Sequence, residues 1–161
     1  MFQLYELNEA EFTPCETISQ YKNIEILPIK DKMLSGPWKE RLHATYWCLL
    51  TWGKARIYLI RDEKGATIHS SHVIPKCVKF PFMGKWDMEI GPCVTLSAYR
   101  GQGLYPYVLT EIIKNGLQQH GKVFMIVDDK NVASVHGVKK VGFVPVAQIK
   151  KDWMKRYVVI K

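Results

Sequence analysis

Five residues near the middle of the chain, Arg100-Gly101-Gln102-Gly103-Leu104, have the types and spacing to hold a phosphate. The stretch before them, Met88 to Leu96 (MEIGPCVTL), reads as a buried strand. After them Leu104, Val108, Ile112 and Leu117 recur near helical spacing. Two glycines therefore stand where a strand turns into a helix. Glycine accepts positive φ and lets a ligand approach the main chain closely. The first N–H groups of a helix lack internal partners and lie at the positive end of its dipole. Such a turn is a site for phosphate or pyrophosphate, and Arg100 adds a fixed positive charge. Pro106 falls in the first helical turn, where its missing N–H costs least. Without a ligand, the same string is a tight strand-to-helix connection. The dinucleotide fingerprint is excluded because its last glycine would fall at Pro106, and no Gly-Lys-Ser/Thr makes a P-loop.

Other residues capable of chemistry lie upstream. Asp87, Glu89 and Gly91 share one strand face by alternation. Pro92 cannot donate to a ladder and marks a bulge or an unpaired edge. His69 and His72 fall on opposite faces of their strand, so they form no joint metal pair, and each reads as a solvated or hydrogen-bonded histidine. Cys15, Cys48, Cys77 and Cys93 make no C-x-x-C pair, which argues against a zinc site and for free thiols. Cys93 on its strand reads as a packing residue before it reads as a nucleophile. No metal site is expected.

Two strings together resemble the GNAT superfamily of N-acetyltransferases. Arg100, Gly101, Gln102, Gly103 and Leu104 fill the first five places of that family's acetyl-CoA loop, [Q/R]-x-x-G-x-[G/A], and Tyr105 departs from the small sixth. Asn131-Val-Ala-Ser-Val-His-Gly-Val-Lys-Lys-Val-Gly-Phe143 resembles its N-x-x-S-x-x-x-Y-x-K-x-G-F segment. Asn131, Ser134, Lys140, Gly142 and Phe143 match, while Val138 stands in place of the tyrosine. The likeness covers the C-terminal half, from Trp86 onward. The strings Gly103-Leu-Tyr-Pro106 and His136-Gly-Val-Lys-Lys-Val-Gly-Phe143 resemble members from sugar and cell-envelope pathways.

The resemblance implies an α/β fold with a mixed, mostly antiparallel central sheet flanked by helices, and two splayed strands holding the acyl-CoA. It implies acetyl-CoA as co-substrate, with the splay at Gly91-Pro92 and the backbone of Val94, Thr95 and Leu96 facing the pantetheine. Arg100 to Tyr105 would then hold the pyrophosphate, with Asn131, Ser134 and Lys140 nearby. A backbone N–H near Val94 or Leu96 would polarise the thioester carbonyl. The amine must lose a proton, for which Glu89 is the first candidate base and Asp87 the second. With Val138 in the tyrosine's place, Tyr105 is the substitute acid unless water protonates the thiolate. The expected acceptor is a primary amine on a small molecule such as an amino sugar. A protein or peptide acetyltransferase and a non-catalytic acyl-CoA-binding module are the alternatives.

The elements that must position these residues are legible in outline. Phe2 to Leu7 reads as a strand, and Asn8 to Lys30 as loop with a short helix. A helix begins at Ser35-Gly36-Pro37-Trp38 and ends near Trp52-Gly53. Its apolar stripe of Trp38, Leu42, Thr45, Tyr46 and Leu49 reads as a core face. Ala55 to Ile60 and Ala66 to Ile74 make a hairpin. The helix from Gly103 ends near His120-Gly121. Val123 to Val127 is apolar on both faces and reads as a central strand. Asn131 caps the next helix, and Phe143 to Ile149 and Trp153 to Ile160 are closing strands.

The 161 residues suit one domain, 1–161. No apolar run is long enough to span a membrane, and no signal peptide is apparent, so a cytoplasmic enzyme is expected. The net charge of +8 comes from scattered lysines, which favours a polyanionic co-substrate over nucleic acid. A homodimer is left open.

Overall fold

A computed structural model describes residues 1–16, 21, 23–34, 37–116 and 121–160. Its frame is an eight-stranded sheet in the order β2-β3-β4-β5-β6-β1-β7-β8. The strands are β1 (Phe2–Leu7), β2 (Ile24–Pro28), β3 (Arg56–Arg61), β4 (Thr67–Pro75), β5 (Met88–Thr95), β6 (Val123–Asp128), β7 (Phe143–Lys151) and β8 (Tyr157–Val159). The helices are α1 (Ile29–Leu34), α2 (Trp38–Thr51), α3 (Leu104–Gly116) and α4 (Val132–Lys140). Only β5 and β6 pair in parallel, so the sheet is mixed and mostly antiparallel, as the resemblance implies.

The sheet buries both faces. On one, Val108, Leu109 and Ile112 of α3 and Val138 of α4 pack with Ile60, Met88 and Met125. On the other, Ile29 of α1 and Ala44 and Trp47 of α2 pack with Ile57, Leu59 and Phe124. This two-sided burial explains the wholly apolar run of β6, which lies between β5 and β1.

Two expectations change. The segment read as loop up to Lys30 contains β2, an edge strand whose exposed positions Glu25 and Ile26 blur the alternation. The first strand is present over the expected residues, and β1 lies between β6 and β7 and pairs with both. The stripe of α2 faces outward. Ala44, Trp47 and Thr51 fill its core side, where Trp47 stacks on Phe80 at 6.1 Å, while Trp38, Leu42, Tyr46 and Leu49 are exposed. Helix α2 carries two apolar faces, and periodicity does not say which one meets the sheet. The remaining strands and α4 agree with the sequence to within a few residues. Ser35, Gly36 and the expected helix end at 117–120 lie outside the described residues. Among those residues no helix is long and apolar enough to cross a membrane.

Candidate active site

The site is built where β5 leaves β6. The two strands pair at Met88–Val123 and Glu89–Phe124 and nowhere beyond. On its other edge β5 stays with β4 as far as His69–Thr95. Between Ser71–Cys93 and Val73–Ile90 the register shifts, so β5 carries one extra residue there, at Gly91-Pro92. The bulge expected from Pro92 is present, and it falls where the sheet opens.

The ladder decides which main-chain groups face the opening. Leu96 N–H donates to the Ile68 carbonyl at 3.0 Å, toward β4. Hydrogen-bonded pairs alternate along an antiparallel ladder, so Val94 is likewise turned toward Ser70. Cys93 and Thr95 therefore present their N–H and C=O groups to the gap. Of the expected backbone donors Thr95 thus faces the gap, joined by Cys93, while the Leu96 amide, and by alternation that of Val94, is spent on the sheet. The Val94 side chain instead projects toward α2.

Beyond β5 a short 3-10 turn, Ser97–Tyr99, leads into the loop. Arg100 Nε donates to the Thr95 carbonyl at 3.2 Å, and the Tyr99 hydroxyl donates to Asp62 Oδ2 at 3.2 Å, tying the turn to the β3–β4 hairpin. Gly101 and Gly103 have φ of 79° and 76°, the left-handed conformation that the sequence requires of them. Among the described residues, no backbone carbonyl accepts from the N–H of Gly101, Gly103, Leu104 or Tyr105. These amides stand at the start of a thirteen-residue helix, an arrangement that can accept an anion.

Glu89 is buried at the root of the opening. Its Oε1 lies so close to Gly91 that a Cβ there would be 2.6 Å away. Among the described residues its carboxyl group makes no hydrogen bond and no ion pair. Burial raises its pKa well above the usual carboxylate value, with Lys79 opposing weakly. Asp87 is placed differently. Its two oxygens accept from the Gly84 N–H at 2.6 Å and the Lys122 N–H at 2.9 Å, clamping the turn before β5 to the start of β6. It lines a cavity of about 450 Å³ at the paired end of β5 and β6, together with Glu6 and Lys122. That cavity is larger than the one described below but shares no residue with the loop.

Tyr105, in the first turn of α3, lies between α4 and β4. A Cβ on Gly137 would meet its ring at 2.6 Å, and its centroid is 6.3 Å from that of His69. Burial raises its pKa well above the ordinary phenol value, and the neighbouring Cys93 and Glu89 oppose its ionisation further, so the hydroxyl keeps its proton. Val138 is fully buried in the core, a packing residue. Below Tyr105 runs a polar chain the sequence does not reveal. His69 bonds Thr95 Oγ1 at 2.7 Å and Ser71 Oγ at 2.9 Å, and Ser71 in turn bonds Cys93. Burial holds His69 neutral, with a pKa of about 4, and raises the Cys93 thiol to about 12. Cys93 is therefore a protonated thiol, as a packing residue should be. All four cysteines are free.

Asn131 caps α4, its side chain accepting from the Ser134 N–H at 3.2 Å. Because β5 and β6 run parallel, the N-termini of α3 and α4 lie at the same end of the sheet. Lys140 is at the other end of α4, nine residues on, roughly 13 Å away along the axis. The structure gathers Asn131 and Ser134 near the loop end of the sheet and leaves Lys140 outside.

On the face opposite α3 a cavity of about 380 Å³ opens between α1, α2 and the sheet. Val94, Ser70 and His72 form part of its floor, and Lys32, Lys39 and His43 part of its rim. His72 Nδ1 lies 3.2 Å from the Pro92 carbonyl, which only accepts, so Nδ1 carries the proton and Nε2 a lone pair. Trp47 Nε1–H donates to His43 Nε2 at 3.0 Å, so the neutral ring of His43 carries its proton on Nδ1. The two rings meet edge to face at 5.6 Å. Burial is the largest cause holding the His72 pKa near 4. His43, Lys32 and Lys39 carry no sequence signal of a shared cavity. His72 does, through its two-residue spacing from Ser70. Among the described residues no cluster could hold a metal ion.

No family model matches this chain, and no curated relative matches it. Solved structures match its fold. One is an acetyltransferase of the GNAT family from Colwellia psychrerythraea, with a TM-score of 0.66 and 18% identity over 90% of this chain and 52% of that one. Another is a tandem GNAT protein from the clavulanic acid biosynthesis pathway, with a TM-score of 0.61 and 14% identity over 89% of this chain and 50% of that one. A third is an acetyltransferase of the GNAT family from Staphylococcus aureus, with a TM-score of 0.52 and 9% identity over 80% of this chain and 87% of that one. The chain thus spans about half the length of the first two. At these identities the likeness is one of fold.

Proposed function

We propose that this chain, which has the GNAT fold, is an N-acetyltransferase that moves an acetyl group from acetyl-CoA to a primary amine of a small molecule, an amino sugar being a fitting class. The observation that carries the reading is the junction of a strand that leaves its parallel neighbour with a two-glycine loop opening a helix. The orphan amides of Gly101, Gly103, Leu104 and Tyr105, beside Arg100, suit a pyrophosphate. The open edge of β5 at Cys93 and Thr95 suits the amides of a pantetheine arm. Asn131 and Ser134 lie at the end of the sheet from which such an arm would enter.

In this reading the amine occupies the cavity under α1 and α2 and attacks the thioester carbon through the opening. Glu89, ionised, takes the proton that the amine loses on forming the C–N bond. The Cys93 or Thr95 N–H supports the developing oxyanion. As the C–S bond breaks, Tyr105 gives its proton to the thiolate, and the solvent restores it. A specific observation favours a second base: His72, which lines the same cavity, has its proton on Nδ1 and an unprotonated Nε2.

A bounded cavity of about 380 Å³ suits a small acceptor better than a peptide, which would need a long groove. Release of free CoA thiol, followed against panels of amines and of peptides, tests the proposal. Turnover with peptides alone would replace the acceptor class. Tight acetyl-CoA binding with no thiol release from any acceptor would leave only the binding-module alternative.

A further inference from the structure

The outward face of α2 is an apolar seam with no counterpart in the described residues. Trp38, Leu42, Thr45 and Leu49 follow one another at steps of four, three and four, and Trp52 follows as the left-handed cap of the helix. At about 100° per residue the four helical side chains fall within an arc of about 60°. The core residues Ala44, Trp47 and Thr51 lie on the opposite side of the helix. Such spacing is that of a helix–helix seam. Trp38, Leu42, Leu49 and Trp52 are 65, 60, 73 and 90% exposed. At about 200 Å² for a large side chain, they present on the order of 580 Å² of apolar surface. That stands at the top of the range for the largest patch on a monomer and approaches the ~800 Å² that one partner buries in a stable complex.

We propose that this seam joins two copies of the chain, α2 packing antiparallel on α2 across a two-fold axis near Thr45. The residue types are symmetric about Thr45: Leu42 and Leu49 on either side, Trp38 and Trp52 beyond them. An antiparallel pairing sets Leu42 near Leu49 of the other copy and Trp38 near the end of the other helix, where Trp52 caps it. Thr45, the smallest member, then lies at the point of closest approach, as helices packed at 8–10 Å need. The cavity beneath α2, lined by Glu40, His43 and Ala44, stays open on the other side of the helix.

Sedimentation of the intact chain over a concentration series tests this, with the wild type expected as a dimer. Leu42→Lys with Leu49→Lys should give a monomer with unchanged circular dichroism, since both positions face solvent in the single chain. Independently, Thr45→Cys should form an intermolecular disulfide under mild oxidation beyond any that the wild type forms, because the two sulfurs meet at the axis. A wild type that is monomeric throughout the series overturns the proposal. So does a dimer that survives both lysines, or one that fails to link through residue 45.

Discussion

The ring of Tyr105 lies against the backbone of Gly137, so close that a Cβ on that glycine would be 2.6 Å from Cδ1. Helix α4 is thereby shaped to admit the one aromatic residue that departs from the small-residue pattern of the loop. The lost tyrosine of the second motif and the gained tyrosine of the first occupy neighbouring parts of one structure. Gly137→Ala should force the ring aside and cost about 1–3 kcal/mol, as overpacking does. At this chain length that is a fall of roughly 2–4 °C in melting temperature per kcal/mol. The loss should shrink when Tyr105→Ala is added. Equal costs in both backgrounds would show that the ring is not the obstacle.

Gly103→Val should weaken acetyl-CoA binding strongly in a folded protein. The residue sits at φ 76°, which a β-branched side chain adopts only with strain, and its amide is among those at the start of α3 that can accept an anion. Calorimetry reads the affinity directly. Unchanged binding in a variant with native circular dichroism would remove the loop from the site.

Glu89 must be ionised to act as base, and burial lifts its pKa, so the acid limb of kcat/KM should lie well above the ordinary carboxylate range. Glu89→Gln should lower kcat/KM by about 10² to 10⁴ and abolish that limb, with CoA affinity retained. If His72 is the base, the limb lies instead near its pKa of about 4 and disappears in His72→Gln. Asp87→Asn should change stability more than kinetics, because both oxygens of Asp87 hold backbone amides.

The same burial gives Glu89→Gln a stability signature. A carboxyl group whose pKa rises on folding contributes most below its unfolded value, and the contribution is lost as pH rises through the folded pKa. The glutamine variant should therefore melt higher than wild type near neutral pH, with the difference shrinking in acid. A lower melting temperature at neutral pH would mean that the ionised carboxylate is stabilised by its surroundings.

His69 behaves oppositely. Its folded pKa of about 4 lies below the ordinary 6.5, so the neutral ring contributes fully above 6.5. That contribution fades as pH falls toward 4, by on the order of 3 kcal/mol. Denaturant unfolding of wild type and His69→Gln between pH 7 and 4 should converge as the pH drops (a pH range chosen about the ordinary histidine value). Parallel curves would place the titration elsewhere.

Much of this was legible in the residues. Gly101 and Gly103 announced a left-handed loop, Pro92 a bulge, and Asn131 a cap, because each depends on local backbone chemistry. What was not legible depends on distant partners. Nothing local tells Ile24 to Pro28 that they form an edge strand, or tells α2 which of two apolar faces meets the sheet. That Cys93 and Thr95 face the gap while Val94 and Leu96 face β4 rests on the ladder with β4, which is a matter of register. The chain from Thr95 through His69 and Ser71 to Cys93 joins residues that alternation places on one face, but only pairing brings them together.

The place of β1 has a consequence for how the chain assembles. Phe2 to Leu7 precedes both of its neighbours by more than a hundred residues: it pairs with Phe124 to Asp128 on one side and Phe143 to Ile149 on the other. During synthesis this segment must wait, with both edges open, until Phe143 to Ile149 has emerged. Closing it joins distant segments, the kind of contact that slows folding and exposes a nascent chain to aggregation. An inner strand of the finished sheet is thus locked late. A chaperone that shelters Phe2 to Leu7 would act on that step.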